Sequence, residues 1–308
     1  MTYVAVLGAG AMGSYFAANL AEADNRVTVI DVDHGRLSAM ESQGILVRDD
    51  RGERVVRVDA ARAADAQGTV DLLVIFTKGM HTKDAARSVC HLVGQDTMVL
   101  TLQNGLGNDV ILAELFGTDR VVIGMTDVPA DLTLPNIVAS HGAAKVVIGD
   151  YLAGSTVRSE RIAGLLNAAS FMVEVDAAVR SRIWEKVAFN AAMNAPAAIT
   201  ALTVGGLDSE PGNRIIAAAA EEVVLVAEAM GIPVDRYRVT ATIGNALKHH
   251  LHHKPSMLQD VLAGRATEIG NINGAVVERG AQAGIATPVN GVLADLVRMI
   301  ERAGTRRL

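Results

Sequence analysis

The chain has 308 residues, 50% hydrophobic and 20% charged, with 28 Lys and Arg against 34 Asp and Glu for a formal charge of −6. Its length and apolar content suffice for one large core or, by domain size, two ordinary ones, which excludes disorder and collagen-like repeats. The acidic balance, the absence of a long basic run and the scarcity of aromatic residues argue against a nucleic-acid partner.

Tyr3–Leu7 reads as an apolar strand, and Gly8-Ala9-Gly10-Ala11-Met12-Gly13 follows it directly and opens a helical stretch through Ser14–Ala23. Strand, glycine loop and helix in this order form a dinucleotide site. The first glycine allows the tight turn, the second lets a pyrophosphate approach the backbone, and the third lets helix and strand pack. The N–H groups of the helix N-terminus, with Ala11 and Met12 between the glycines, face the phosphates. A second strand, Arg26–Ile30, ends in Asp31, 18 residues past Gly13. An acid there accepts hydrogen bonds from the adenosine ribose 2′-hydroxyl and repels a 2′-phosphate, although Arg36 could still receive one.

Further apolar runs predict strands at Asp71–Thr77, Met98–Leu102, Val121–Met125, Lys145–Ile148 and Phe171–Val175. Runs without alternation suit strands buried on both faces, and their alternation with Ala-rich stretches predicts a parallel sheet with crossover helices. Cys90 falls in a helical stretch and is expected as a small core residue. As the one cysteine, it permits no internal disulfide and suits a reducing, cytoplasmic location. No apolar run approaches a membrane span, and no signal-peptide pattern follows Met1.

From about Ala178 onward the β-branched runs thin out and helical periodicity takes over. The boundary predicts a dinucleotide-binding domain over 1–177 and a second, nearly all-helical domain over 178–308. Lys186, Asn190 and Asn194 stand four residues apart. That spacing places them on one face of a helix that is otherwise apolar. An ammonium and two amides there are costly to bury without partners, so they are expected to line a cleft filled by a polar ligand. A lysine beside a bound nicotinamide can stabilise the charge that hydride addition builds on a ketone oxygen and can donate the proton.

Helices are also expected at Ile215–Ala229, Val239–His250 and Ile269–Ala283. His249, His250, His252 and His253 cluster before Pro255, with His249 and His253 spaced for one helical face. No third ligand is evident, so a solvated helix end is expected and no metal site. Arg302–Arg307 reads as a solvated tail.

Six ordered segments together resemble the ketopantoate reductase (2-dehydropantoate 2-reductase) family over essentially the whole chain. They are the loop at Gly8–Gly13; Thr77-Lys78 with His81-Thr82-Lys83-Asp84-Ala85; Leu102-Gln103-Asn104-Gly105-Leu106-Gly107; the Lys186, Asn190 and Asn194 helix; Pro255-Ser256-Met257-Leu258-Gln259-Asp260; and Thr267-Glu268-Ile269 with Ile272-Asn273-Gly274 and Gly284-Ile285-Ala286-Thr287-Pro288. The resemblance implies an α/β fold with an N-terminal Rossmann-type doubly wound domain, an all-helical C-terminal domain and an active site in the cleft between them. It implies Lys186 as the catalytic lysine, Glu268 as the essential acid, and Asn190, Asn194 and Ser256 as substrate-binding residues. Lys78 and Asn104 become cleft residues contributed by the nucleotide domain, in reach of the cofactor and, for Asn104, the substrate. Asp260 occupies a motif position suited to orienting its loop or helix.

Two positions depart from the family pattern. Many members carry an arginine just after the second strand, where this chain has Val32 between Asp31 and Asp33. NADP(H) is the usual family cofactor, and this departure favours NAD(H). His253 stands where some members have an asparagine, which leaves open other branched or aromatic 2-ketoacids.

The expected function is therefore reduction of a 2-ketoacid to a 2-hydroxyacid, with 2-dehydropantoate leading, by a homodimer. A D-2-hydroxyacid dehydrogenase of the same family is the alternative. A non-catalytic NAD(P) sensor would not need both Lys186 and Glu268. The β-hydroxyacid dehydrogenases share the glycine loop and the lysine–asparagine helix, but the Ser256–Asp260 and Glu268 segments suit ketopantoate reductases better.

Overall fold

Aliphatic runs that do not alternate with polar residues are stable only where both faces of a strand are covered, and such runs build the centre of the first half of the chain. The computed structural model describes residues 1–303, so most of the expected tail Arg302–Arg307 lies outside the described residues. The chain divides into two units, Met1–Gln103 with Asn108–Val179, and Asn104–Gly107 with Arg180–Leu308.

In chain order the first unit begins with β1 (Tyr3–Leu7), α1 (Ala11–Glu22), β2 (Arg26–Ile30), α2 (His34–Gln43), β3 (Ile45–Asp49), β4 (Gly52–Val56), β5 (Asp59–Ala61) and β6 (Val70–Ile75). It continues with α3 (Thr82–Ser88), β7 (Val93–Thr101), α4 (Asn108–Phe116), β8 (Val121–Thr126), β9 (Ala130–Leu134), β10 (Ile137–Ser140), β11 (Lys145–Asp150), α5 (Val157–Ala168) and β12 (Met172–Val175). Eight strands form one sheet in the order β12, β11, β8, β7, β6, β1, β2, β5. All neighbours are parallel except the antiparallel pair β8 and β11. The chain leaves β1 for β2 on one side and returns through β6 on the other, so the ends of β1 and β6 flank the reversal where a doubly wound sheet opens its crevice. The fold is the Rossmann type.

A second sheet, in the order β4, β3, β10, β9, has no counterpart among the strands expected from sequence. Its strands are short and half polar, as in the Gly-Glu-Arg-Val-Val of β4, so they carry no strong apolar run. The sheet packs on α1, whose other side lies on β1 and β2. This explains why every residue of α1 from Gly13 to Leu20 is buried, a distribution that no one-sided amphipathic helix shows. Phe16 stacks on Phe171 with ring centroids 4.1 Å apart; burying one such side chain contributes roughly 1.5–3 kcal/mol.

At the turn between β3 and β4, Asp49 accepts hydrogen bonds from Arg54 Nη1 at 2.7 Å and Nη2 at 2.9 Å and from the backbone and side chain of Arg51. Burial acts to raise the Asp49 carboxyl, but these donors outweigh it and bring its pKa down to about 2. Cys90 corrects one expectation. It is exposed, with its thiol toward Ala86 O, because the flanking Val89 and Leu92 occupy the core side.

The second unit is helical: α6 (Val179–Thr200), α7 (Glu210–Ala229), α8 (Arg236–His249), α9 (Ser256–Leu262), α10 (Ala275–Ala283) and α11 (Pro288–Ala303). Its core is rich in alanine, with Ala188, Ala191, Ala192, Ala195 and Ala197 of α6 fully buried. Ser209 and Asp235 cap α7 and α8 by accepting the N–H groups of Gly212 and Arg238. The continuous helix expected over Ile269–Ala283 instead begins as a π-turn at Gly270–Gly274. Helix α8 ends at His249, so His253 shares no helical face with it.

Candidate active site

In the first unit the glycine loop leaves β1 at Gly8, whose φ of +103° is a backbone conformation that favours glycine. A side chain on Gly13 would meet Gly8 O at 1.8 Å, so helix and loop pack only because that position is bare. Gly10 differs: a Cβ there would meet nothing within 4 Å. The N-terminus of α1 has no side-chain cap and no acidic residue in its first turn. An open space beside uncapped helix N–H groups fits a dinucleotide pyrophosphate, so Gly8, Gly10, Ala11, Met12 and Gly13 can hold one.

Asp31 stands at the mouth of the same loop. Its Oδ2 accepts the Ala9 N–H at 2.6 Å, and Oδ1 accepts the N–H groups of Val32 at 2.8 Å and Asp33 at 2.9 Å. Arg36 lies beside it, with Nη1 3.8 Å from Asp31 Oδ2 and Nη2 3.6 Å from Asp33 Oδ2. Arg36 Nε is buried without a hydrogen-bond partner. Val32 is 86% exposed, so the position where an arginine would meet a 2′-phosphate offers no charge.

Lys78 follows β6 in a loop braced by Gln103. The Gln103 Nε2 group donates to Thr77 O at 2.6 Å and to Thr82 Oγ1 at 2.8 Å, while Oε1 accepts from Thr101 Oγ1 at 2.9 Å. The amide thus fixes the backbone on either side of Lys78. In the sequence Gln103 is marked only by its place in the Leu102–Gly107 segment.

In the second unit, Lys186, Asn190 and Asn194 occupy successive turns of α6, with Lys186 half-buried and the two amides buried. A buried amide is costly unless hydrogen-bond partners or a ligand complete it, so this face suits a polar ligand. The adjacent Glu185 is drawn away, accepting from Arg238 Nη1 at 2.9 Å and from the Asp235 N–H at 3.2 Å.

Glu268 precedes the π-turn, and Asn104 Nδ2 donates to its Oε2 at 3.5 Å. Asn104 therefore corrects the expectation that it belongs with the nucleotide domain: Asn104–Gly107 packs as part of the helical unit. The physical reason lies at Gly105, which takes φ +81° and passes so close to the π-turn that a Cβ would stand 2.3 Å from Asn271 O. The neighbouring Leu106 N–H donates to that same carbonyl at 2.8 Å. Ser256 is exposed at the first position of α9. Asp260 accepts Arg265 Nε at 2.9 Å and ties the end of α9 to the following loop. Among the described residues no group of three or more His, Cys, Asp or Glu side chains could hold a metal ion, and no helix is long and apolar enough to cross a membrane.

A Rossmann-type sheet with an uncapped glycine loop, together with a helical unit carrying a lysine, two buried amides and a carboxylate paired to an asparagine, has the parts of a nicotinamide-dependent oxidoreductase. Comparison with known proteins makes this specific. The family model described as ketopantoate reductase PanE/ApbA matches residues 4–153, and its C-terminal counterpart matches residues 178–301. The 2-dehydropantoate 2-reductase of Halobacterium salinarum is 34% identical over 98% of this chain and 99% of its own. Among solved structures, D-mandelate dehydrogenase with NADH and anilino(oxo)acetate superposes with a TM-score of 0.94 at 27% identity, covering 98% of this chain and 99% of that one. A PanE/ApbA family ketopantoate reductase from Ralstonia eutropha gives a TM-score of 0.90 at 30% identity, with the same coverage. The chain belongs to the ketopantoate reductase family and is an NAD(P)-dependent oxidoreductase.

Proposed function

We propose that the protein reduces 2-dehydropantoate to pantoate, with residues 1–177 binding the dinucleotide and residues 178–308 the ketoacid. The α6 face carries this reading: one ammonium and two buried amides suit a ligand that is anionic at one end and develops charge at the other. A bound dihydronicotinamide supplies the hydride for the carbonyl carbon. Lys186 meets the charge that builds on the carbonyl oxygen and donates the proton there. Asn104, Asn190, Asn194 and Ser256 hold the neighbouring carboxylate with neutral donors, so that no second cation competes with Lys186. Glu268 would repel that carboxylate and instead accepts a substrate hydroxyl or orients Lys186.

Gly8, Gly10, Ala11, Met12, Gly13, Asp31, Lys78 and Asn104 are the cofactor contacts in this reading, and NADH is the preferred cofactor. Asp31 and the uncharged Val32 support that preference, while the guanidinium of Arg36 beside Asp31 gives NADPH a partial foothold. A cytoplasmic homodimer belongs to the same reading, with the exposed Val292 and Met299 of α11 as apolar surface that a second copy would cover.

The likeness to D-mandelate dehydrogenase favours a second reading, in which the ketoacid is aromatic or branched and the product a D-2-hydroxyacid. Oxidation of NADH and NADPH against 2-dehydropantoate, branched 2-ketoacids and phenylglyoxylate separates the two. The highest kcat/KM with 2-dehydropantoate supports the first, and the highest with phenylglyoxylate replaces it with the second. Oxidation with none of them overturns both.

A further inference from the structure

A run of buried amides crosses the helical unit, and its direction is dictated from one end. Glu222 of α7 is buried, and its carboxylate can only accept hydrogen bonds. Oε1 takes the Val289 N–H at 2.8 Å, and Oε2 takes the Asn290 N–H at 2.9 Å and Asn290 Nδ2 at 2.7 Å. Asn290, fully buried in the first turn of α11, must therefore turn its NH2 toward Glu222, where it also reaches Ala219 O at 3.0 Å. Its Oδ1 is left to face Asn273. Asn273, fully buried in the π-turn, answers with Nδ2 at 3.0 Å and sends the other hydrogen of the same group to Ala191 O at 3.1 Å. Each amide has one permitted orientation because the carboxylate at the end accepts and never donates.

The run ends beside the residues of the proposed chemistry. Ala191 follows Asn190 on α6 and lies between Lys186 and Asn194. Asn273 lies five residues past Glu268, in a turn whose Asn271 carbonyl anchors Leu106 and whose Glu268 pairs with Asn104. Asn273 is thus a side chain that ties the π-turn just after Glu268 to the backbone of the helix bearing Lys186. Its own Oδ1 is buried with no partner among the described residues, a cost to stability that an apolar residue at this position would not carry.

We propose that Asn273 is a positioning residue, which sets the register of Glu268 and the Asn104 loop against the Lys186 face, and that Glu222, acting through Asn290, fixes the orientation of the Asn273 amide. This rests on the reading of Lys186 and Glu268 as the catalytic pair.

The test compares Asn273→Ala, Glu222→Gln, Asn290→Asp and the double variant Glu222→Gln/Asn290→Asp with wild type. The measurements are kcat, KM and the pH profile of kcat, together with hydrogen exchange. In the double variant the glutamine Nε2 donates to the new carboxylate, which reverses the 222–290 bond but keeps an acceptor at position 290 facing the Asn273 amide nitrogen. Asn273→Ala is expected to lower kcat at least tenfold, leave KM for the nicotinamide cofactor within twofold, shift the pH limb of kcat, and speed exchange at 104–107 and 267–274. Glu222→Gln and Asn290→Asp are expected to act in the same direction, and the double variant to recover activity relative to Asn290→Asp, in which two carboxylates face each other. An unchanged pH profile and exchange pattern in folded Asn273→Ala overturns the proposal. Should that variant not fold, Glu222→Gln decides on the same two measurements. Lys186→Ala is run alongside: wild-type turnover in it removes the catalytic reading itself, whereas the exchange data report on the tie between the π-turn and α6 without reference to activity.

Discussion

The Asp31 carboxylate accepts the Ala9 N–H at 2.6 Å, so the acid at the end of β2 is also a fastener of the glycine loop. Its other oxygen is engaged by Val32 and Asp33, and Arg36 lies against the first. Substituting Asp31 would disturb the loop as well as the ribose contact, so cofactor preference is better tested at the exposed neighbour.

Wild-type protein is expected to show a higher kcat/KM with NADH than with NADPH. Val32→Arg should raise kcat/KM for NADPH by about 1–2 kcal/mol, roughly five- to thirtyfold, the scale of one charge-assisted contact to a phosphate. Steady-state kinetics with both cofactors measures it, and a wild-type preference for NADPH would refute the cofactor assignment.

Lys186→Ala should lose about 2–4 kcal/mol of transition-state stabilisation, a fall in kcat of roughly thirty- to a thousandfold, with nucleotide affinity nearly unchanged. Calorimetric titration with NADH separates the two effects. Lys186 is only half-buried, while the core contacts of α6 come from Trp184, Val187, Ala188 and Ala191, so the variant should fold.

Ser256→Ala should raise KM for every 2-ketoacid by about 1.5–3 kcal/mol, the range for a hydrogen bond to a charged group. Ser256 is exposed at the start of α9, so thermal stability should not change. Unchanged KM across the ketoacid panel, with ketones lacking the carboxylate reduced equally well, would remove the 2-ketoacid assignment.

Asp49 predicts a specific loss of stability in acid. Its pKa falls from 3.8 to about 2 on folding, so between these values the unfolded chain binds the proton and the folded one does not. Its contribution, about 2 kcal/mol, is complete above the unfolded pKa and disappears as pH falls through the folded one. Asp49→Asn should be less stable at pH 7 and should flatten the dependence between pH 4 and pH 2, as measured by chemical denaturation at fixed pH values.

Much of the first unit is legible without coordinates. The strands Tyr3–Leu7 and Arg26–Ile30 coincide with β1 and β2, because the first is apolar throughout, the second is β-branched from Val27 to Ile30, and both are bounded by turn-forming or charged residues. The glycine loop is equally plain: glycines spaced between a strand and a helix encode local backbone geometry, and Gly8 and Gly13 occupy the tight contacts that the spacing requires. The four-residue spacing of Lys186, Asn190 and Asn194 likewise places them on one helix face by rotation alone.

What tertiary structure decided are relationships between residues far apart in the chain. The small sheet covering α1 pairs β3 with β10 across some ninety residues, and its half-polar strands gain from pairing and covering α1 what they lack in apolar pattern. Asn104 joins the helical unit because Gly105 leaves room for the Asn271 carbonyl, a fit that depends on two segments separated by more than 160 residues. Asn273 comes beside Ala191 for the same reason. Helical and strand periods report which face a residue takes, but hydrogen-bond partners and ion pairs depend on distance in space, which only the packed chain defines.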